Sequence, residues 1–140
     1  MTHTPRLQRL TTWQLSKTSV RSHRVLHEHL GEEGVSGYDY RVLAALDDLG
    51  RLTQTELGRA AGLDRRDVTH TVRGLEYRQL VDRQTDQGDS RRVVVELRKA
   101  GRVLLARLDV VMEEVQSEVL APLTAAQRET LFKLLRRLSE

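Results

Sequence analysis

The stretch that most constrains this chain runs from Gln54 to Leu97. Within it, Val68, Val72 and Leu75 recur at i, i+4 and i+7, the spacing of one helix face. Arg65, Arg66, Thr69, His70 and Arg73 fall largely on the other sides. Upstream, Thr53 followed by Glu56 has the spacing of a capping box and predicts a helix start. Gly62 is placed to end that helix in a left-handed turn, and Asp64 to cap the next. Ala60 and Ala61 are small enough to let the two helices cross closely. The pattern predicts a helix-turn-helix. Its second helix packs through aliphatics and turns Arg, Thr and His outward, a surface suited to guanine edges and phosphates in a DNA major groove. A plain amphipathic helix with a solvated basic face has the same local pattern, so the flanking segments decide.

Downstream, Val81 to Thr85 and Arg92 to Leu97 read as strands, the second rich in valine. Asp86-Gln87-Gly88-Asp89-Ser90-Arg91 between them is a turn-forming cluster that fits a hairpin tip. A hairpin directly after a helix-turn-helix is a wing. This order, with Asp89-x-Arg91 in the wing and Leu97-Arg98-Lys99-Ala100-Gly101 opening a long helix, resembles the MarR family of bacterial transcription regulators. Leu120-Ala121-Pro122-Leu123-Thr124 before a leucine-rich helix is similar too. The resemblance implies a single domain over 1–140, mainly α with a small β-wing. In it, a winged helix-turn-helix at about 38–98 lies between N- and C-terminal dimerisation helices at about 4–30 and 100–140.

Composition narrows the function classes. The 140 residues are 39% hydrophobic and 31% charged, with no apolar run of membrane length and no secretory signal, so the expected setting is cytoplasmic. The absence of cysteine excludes disulfides, thiolate metal sites and cysteine-based oxidant sensing. The net charge of +3 is unevenly placed. Asp64 to Arg102 carries ten Arg or Lys against seven Asp or Glu, whereas the rest of the chain has thirteen of each. The surplus therefore coincides with the second helix, the wing and the segment after it, as a phosphate-binding surface requires. Twenty of the 23 basic residues are arginine, a bias that base composition of the genome also produces. No phosphate-cradling glycine loop, nucleophile elbow or acid–base pair points to an enzyme.

Before this stretch, Thr4 to Leu30 reads as one helix whose apolar residues, Leu7 to Leu30, are spread around it. Gly31 to Gly37 reads as a loop, Tyr38 to Leu49 as a helix with Val42, Leu43, Leu46 and Leu49 inward, and Gly50 to Leu52 as a turn or very short strand. After the wing, Ala100 to Leu120 forms a long helix with Leu104, Leu108, Val111, Val115 and Val119 on one face and Val103 and Val110 beside it. Pro122 stops it. Thr124 and Gln127 form a second capping box ahead of Leu131, Leu134, Leu135 and Leu138. The terminal helices carry more apolar residues than one small domain covers, and the resemblance explains the excess as a homodimer. Two recognition helices related by a two-fold axis then enter successive major grooves, so the site on double-stranded DNA is a pseudo-palindrome.

The resemblance also assigns roles. It implies that Arg65, Arg66, Thr69, His70, Arg73 and Arg92 meet DNA, while Arg91 enters a minor groove braced by Asp89. It implies a repressor released by a small effector such as an aromatic acid, held in a cavity drawing on Trp13, Lys17, Arg21, His23, Arg24, Tyr38 and Tyr40. A charged clamp beside aromatic rings suits a phenolic carboxylate; ordinary packing accounts for the same rings equally simply. His23 and His27 at i, i+4 have metal-ligand spacing, with Glu28 and His29 adjacent, but a third ligand has to come from elsewhere, and only His3 and His70 remain among the histidines. No cofactor is expected. The chain departs from the family in three places. Gln79 stands where a glycine is usual after the recognition helix, at a cost of about 1 kcal/mol if its backbone is left-handed. Arg98 replaces a capping threonine, leaving it available to a phosphate, and Gly74 inside the helix suggests a close backbone contact. The alternative is a winged-helix architectural or protein-interaction module without sequence preference.

Overall fold

Side-chain caps fix most helix starts in the computed structural model, which describes residues 4–140. The elements are α1 (Pro5–Gln8), α2 (Thr11–Glu32), α3 (Gly37–Leu49), β1 (Leu52–Thr53), α4 (Gln54–Ala61), α5 (Arg65–Tyr77), β2 (Val81–Thr85), β3 (Val93–Leu97), α6 (Lys99–Val119) and α7 (Ala125–Ser139). The chain is mainly helical with one small antiparallel sheet, as the sequence pattern predicts. Thr4, Ser36, Thr53, Asp64 and Thr124 each accept a first-turn backbone N–H of the helix they precede. Each such cap contributes about 1 kcal/mol.

Several boundaries differ from the sequence pattern for local reasons. The helix expected over 4–30 is broken between Gln8 and Thr11. The side-chain amide of Gln14 donates to the Gln8 carbonyl at 2.9 Å, satisfying an acceptor left open where α1 stops. Gly31 lies within α2 rather than in a loop, and α3 starts at a reciprocal Ser36–Asp39 capping box. The Thr53–Glu56 box is only half made. Thr53 accepts from the Glu56 N–H, but its hydroxyl donates to the Glu56 carboxylate at 2.8 Å, which does not reach back to the cap. On α6 the buried face is Leu105, Leu108, Val111 and Val115, so Leu105 takes the place expected for Leu104.

The described chain divides into two units. The second, His29–Val111, holds α3, α4, α5, the sheet and the first part of α6. β3 lies centrally, paired with β1 at Leu52↔Val95 and with β2 from Val81↔Leu97 to Thr85↔Val93. Leu43, Leu46, Leu57, Val68, Val72, Leu75, Val81 and Val95 form its core. Gly101 opens α6 directly over the Leu80 carbonyl, where any Cβ would collide. The first unit comprises residues up to Glu28 together with Met112–Glu140. In it Val25 and Val115 are buried, whereas α7 buries no residue at all. Among the described residues, no helix is long and apolar enough to cross a membrane.

Candidate nucleic-acid interface

α5 sorts its side chains by chemistry. Val68, Thr71, Val72 and Leu75 are buried, and the helix packs against α3, α4 and β2. Arg66, His70, Arg73 and Tyr77 recur at i, i+4, i+7 and i+11 along the opposite face, and all four are exposed. Arg65 and Thr69 lie on the flank facing α4. Tyr77, 90% exposed, escapes the sequence reading, although extending the Arg66–Arg73 stripe by one turn reaches it.

The turn between α4 and α5 is built as the sequence suggests, with Gly62 at φ 66° and Asp64 accepting the Asp67 N–H at 2.7 Å. The close crossing, however, depends on Gly58 rather than Ala60. A Cβ at Gly58 would sit 3.2 Å from the Leu63 carbonyl oxygen and 3.4 Å from Val68, while Ala60 is exposed. Gly74 has open space around it, so no contact within the chain explains that glycine. Gln79 does adopt the left-handed conformation, at φ 62°.

Thr69 is held internally. Its hydroxyl donates to the Arg65 carbonyl and accepts from the Gln54 amide, both at 2.8 Å. A hydroxyl has one proton, so Thr69 keeps a single acceptor position and cannot donate to a phosphate without losing a bond. It ties the start of α4 to the recognition helix.

The wing loop spans residues 86–92. Asp86 accepts from the Gly88 N–H at 3.0 Å, which shapes the turn. One carboxylate oxygen of Asp89 accepts from the Arg91 backbone N–H at 3.0 Å and faces its Nε at 3.4 Å. The Arg91 side chain nevertheless remains 91% exposed, aimed by its aspartate but not covered. Arg92 is held differently, between Asp86 at 3.7 Å and Glu56 at 3.9 Å, and so fastens the wing base to α4. Arg98 lies 3.7 Å from Asp82 instead of standing clear for a phosphate. A cleft of about 510 Å³ runs between α4, the start of α5 and the wing base, lined by Arg59, Arg65, Arg91 and Arg92 among others. Arg65, Arg66, Thr69, His70, Arg73, Asp89, Arg91 and Arg92 thus all belong to one unit.

The residues expected around an effector do not gather in one unit. Trp13, Lys17, Arg21, His23 and Arg24 belong to the first, Tyr38 and Tyr40 to the second. Arg21 donates to the Val119 and Glu118 carbonyls at 3.0 and 3.3 Å, capping the C-terminus of α6. Tyr38 lies under the Arg41 guanidinium, 5.4 Å from ring centroid to Cζ. The Tyr40 hydroxyl donates to Asp109 at 2.9 Å, and burial followed by that carboxylate pushes its pKa up to about 12. His23 and His27 are exposed on α2, and among the described residues no group of three metal-ligating side chains forms; His3 lies outside those residues.

This arrangement has close counterparts. The MarR family model matches residues 38–93, all within the second unit. The chain is 28% identical over 124 residues to the HTH-type transcriptional repressor NicR of Pseudomonas putida, covering 89% of this chain and 78% of that protein. A probable transcriptional regulator from Pseudomonas aeruginosa has a similar fold, with a TM-score of 0.84 and 30% identity over 94% of this chain and 98% of its own. The PcaV transcriptional regulator of Streptomyces coelicolor, solved with its natural ligand, gives a TM-score of 0.83 at 28% identity, covering 99% and 97% of the two chains.

Proposed function

Because the chain belongs to the MarR family of winged helix-turn-helix regulators, we propose that it is a homodimeric transcriptional repressor that binds a pseudo-palindromic DNA site and is released by a small ligand. The observation that carries this reading is the exposed Arg66–His70–Arg73 stripe, held outward by the burial of Val68, Val72 and Leu75. Arg pairs with guanine in two hydrogen bonds, and His and Arg also take phosphates. In this reading Arg65 meets the backbone from the flank, and Thr69 positions the helix through Gln54. Arg91 reaches a narrow minor groove, with Asp89 fixing its direction and Arg92 fixing the wing.

Dimerisation is supported by α7, which exposes Phe132, Leu134, Leu135 and Leu138. Phe132, Leu135 and Leu138 also line an apolar groove with Leu15 of α2. A contiguous apolar surface of this kind marks an interaction site. Effector release is supported by the solved relative that carries its natural ligand and by the repressor named among the sequence relatives. For this chain an aromatic acid suits the chemistry of the first unit, with His23 and Arg24 as the clamp, Trp13 as ring partner, and Arg21 coupling them to the end of α6. On this reading the chain is a cytoplasmic regulator and not an enzyme.

Selection of bound fragments from random duplex DNA by the purified protein tests the reading. Enrichment of an inverted repeat with half-sites about one helical turn apart is the expected result. Uniform recovery at moderate salt would favour the architectural alternative.

A further inference from the structure

Tyr77 stands out among the side chains of α5 because it is the largest, it is 90% exposed, and no role assigned above uses it. An exposed tyrosine presents both an apolar ring and a hydroxyl to a partner on that face. It continues the Arg66–His70–Arg73 stripe by one helical turn. Helical rise places Arg73 about 10 Å along the axis from Arg66, and Tyr77 about 6 Å further. A recognition helix meets base edges through its N-terminal residues, so Tyr77, the last residue of α5, would stand where the helix leaves the groove beside a sugar–phosphate strand.

The surroundings fit that location. Gly74, one turn before Tyr77, has nothing within 4 Å of where its Cβ would be, so the helix surface is open there. Glu76 is drawn to Arg83 at 3.5 Å, so the neighbouring carboxylate is partly neutralised. The carbonyls at the C-terminus of a helix repel phosphate. An anion at this end therefore needs a donor carried away from the axis, and a phenol on an extended ring supplies one.

We propose that Tyr77 is a DNA-positioning residue whose hydroxyl donates to a backbone phosphate at the groove edge while its ring packs on the adjoining deoxyribose. The inference rests on the DNA-binding reading above. A neutral donor to phosphate strengthens binding without reading sequence and without displacing a counterion.

The test measures binding of the full-length protein to the selected duplex and to a scrambled duplex by fluorescence anisotropy over a range of salt. Tyr77→Phe is expected to weaken both by about 3–10-fold, with their ratio and the salt slope unchanged. Arg73→Ala, run in parallel, lowers the salt slope by about 1. Methylphosphonate at the edge phosphate weakens the wild type by a similar factor and leaves Tyr77→Phe with little further to lose. Wild-type affinity in Tyr77→Phe and Tyr77→Ala would overturn the proposal, as would a loss confined to the selected duplex or a loss of self-association. If Arg66→Ala and Arg73→Ala also leave binding intact, the DNA-binding reading itself fails. If they weaken it while the Tyr77 variants do not, only the role of Tyr77 fails. Should Tyr77→Ala lose its helical circular dichroism, Tyr77→Phe, which keeps the ring, decides.

Discussion

α5 and α7 are amphipathic helices of similar length, 13 and 15 residues, yet they leave opposite chemistries outside. α5 buries its aliphatic face within its own unit and exposes Arg66, His70 and Arg73. α7 buries nothing and exposes Phe132, Leu134, Leu135 and Leu138. The difference indicates what each surface awaits. Exposed cations are well solvated and tolerate water until a polyanion displaces their counterions. Exposed leucines gain at about 25 cal/mol for each Å² removed from water, so they favour a second apolar surface.

The largest expected effect comes from making α7 resemble α5 in polarity. Phe132→Asp with Leu135→Asp places charges in the proposed apolar contact, where desolvation without a partner costs several kcal/mol. Sedimentation should show a monomer, and affinity for the selected duplex should fall by more than about 100-fold, because each half-site is then held alone. A dimer that persists would show that α7 is not the interface. Sodium chloride sharpens the contrast further: DNA binding should fall steeply with salt, whereas self-association through α7 should change little.

Next comes Arg91→Ala, expected to weaken specific binding by about 1–3 kcal/mol. Arg91 and Arg92 are adjacent in sequence but held differently, one exposed beside Asp89 and the other between Asp86 and Glu56. Asp89→Ala should therefore reproduce part of the Arg91 loss in DNA titrations. Arg92→Ala should instead also lower the melting temperature, because it loosens the wing from α4. Equal DNA affinity for Arg91→Ala and the wild type would remove the wing from the interface.

Much of this was legible in the chain. Thr53, Gly62 and Asp64 have local roles set by backbone geometry, so the helix-turn-helix could be read from residue type and spacing. The break at Arg9–Leu10 could not, because it depends on Gln14 reaching the Gln8 carbonyl from the next helix. Nor could the Leu105 phase of α6, since Leu104 and Leu105 both continue an apolar pattern and tertiary packing chooses between them. Thr69 had the composition of a DNA contact, but its hydroxyl is engaged by Gln54, distant by 15 positions in sequence. Tyr77 was missed for a different reason: aromatic residues are ordinarily read as core, and only its exposure shows otherwise. The residues expected around an effector were least legible. Their roles depend on distant partners, as with Arg21 at the Val119 carbonyl and Tyr40 at Asp109.

Gln79 offers a smaller change at the end of α5. Its φ of 62° is a conformation that glycine adopts readily and glutamine does not. Gln79→Gly should stabilise the protein by about 1 kcal/mol in denaturant titrations, offset in part by the greater freedom glycine gives the unfolded chain. α7 contains no residue at positive φ, so no comparable gain is available there. Destabilisation by Gln79→Gly would mean that the glutamine side chain makes a contact worth more than the backbone strain.

The smallest effect tests a single polar tie in the frame that carries α5. Tyr40 on α3 donates to Asp109 on α6, and burial with that carboxylate raises its pKa from 10.0 to about 12. The folded state therefore favours the neutral phenol. Its contribution is complete below about pH 10, where the unfolded phenol is also neutral. It is lost as pH rises through 12, because the unfolded chain ionises first. Tyr40→Phe should cost about 0.5–1 kcal/mol near neutral pH, the low end for a hydrogen bond in a partly solvated site. The gap between wild type and variant should then close between pH 10 and 12, and phenolate absorbance should lose its latest step. Self-association through α7 should not follow that titration, since Phe132, Leu134, Leu135 and Leu138 have nothing to ionise. A dimer that dissociates over this range in the wild type but not in Tyr40→Phe would show that the two surfaces are coupled through α6, and their separation would have to be abandoned.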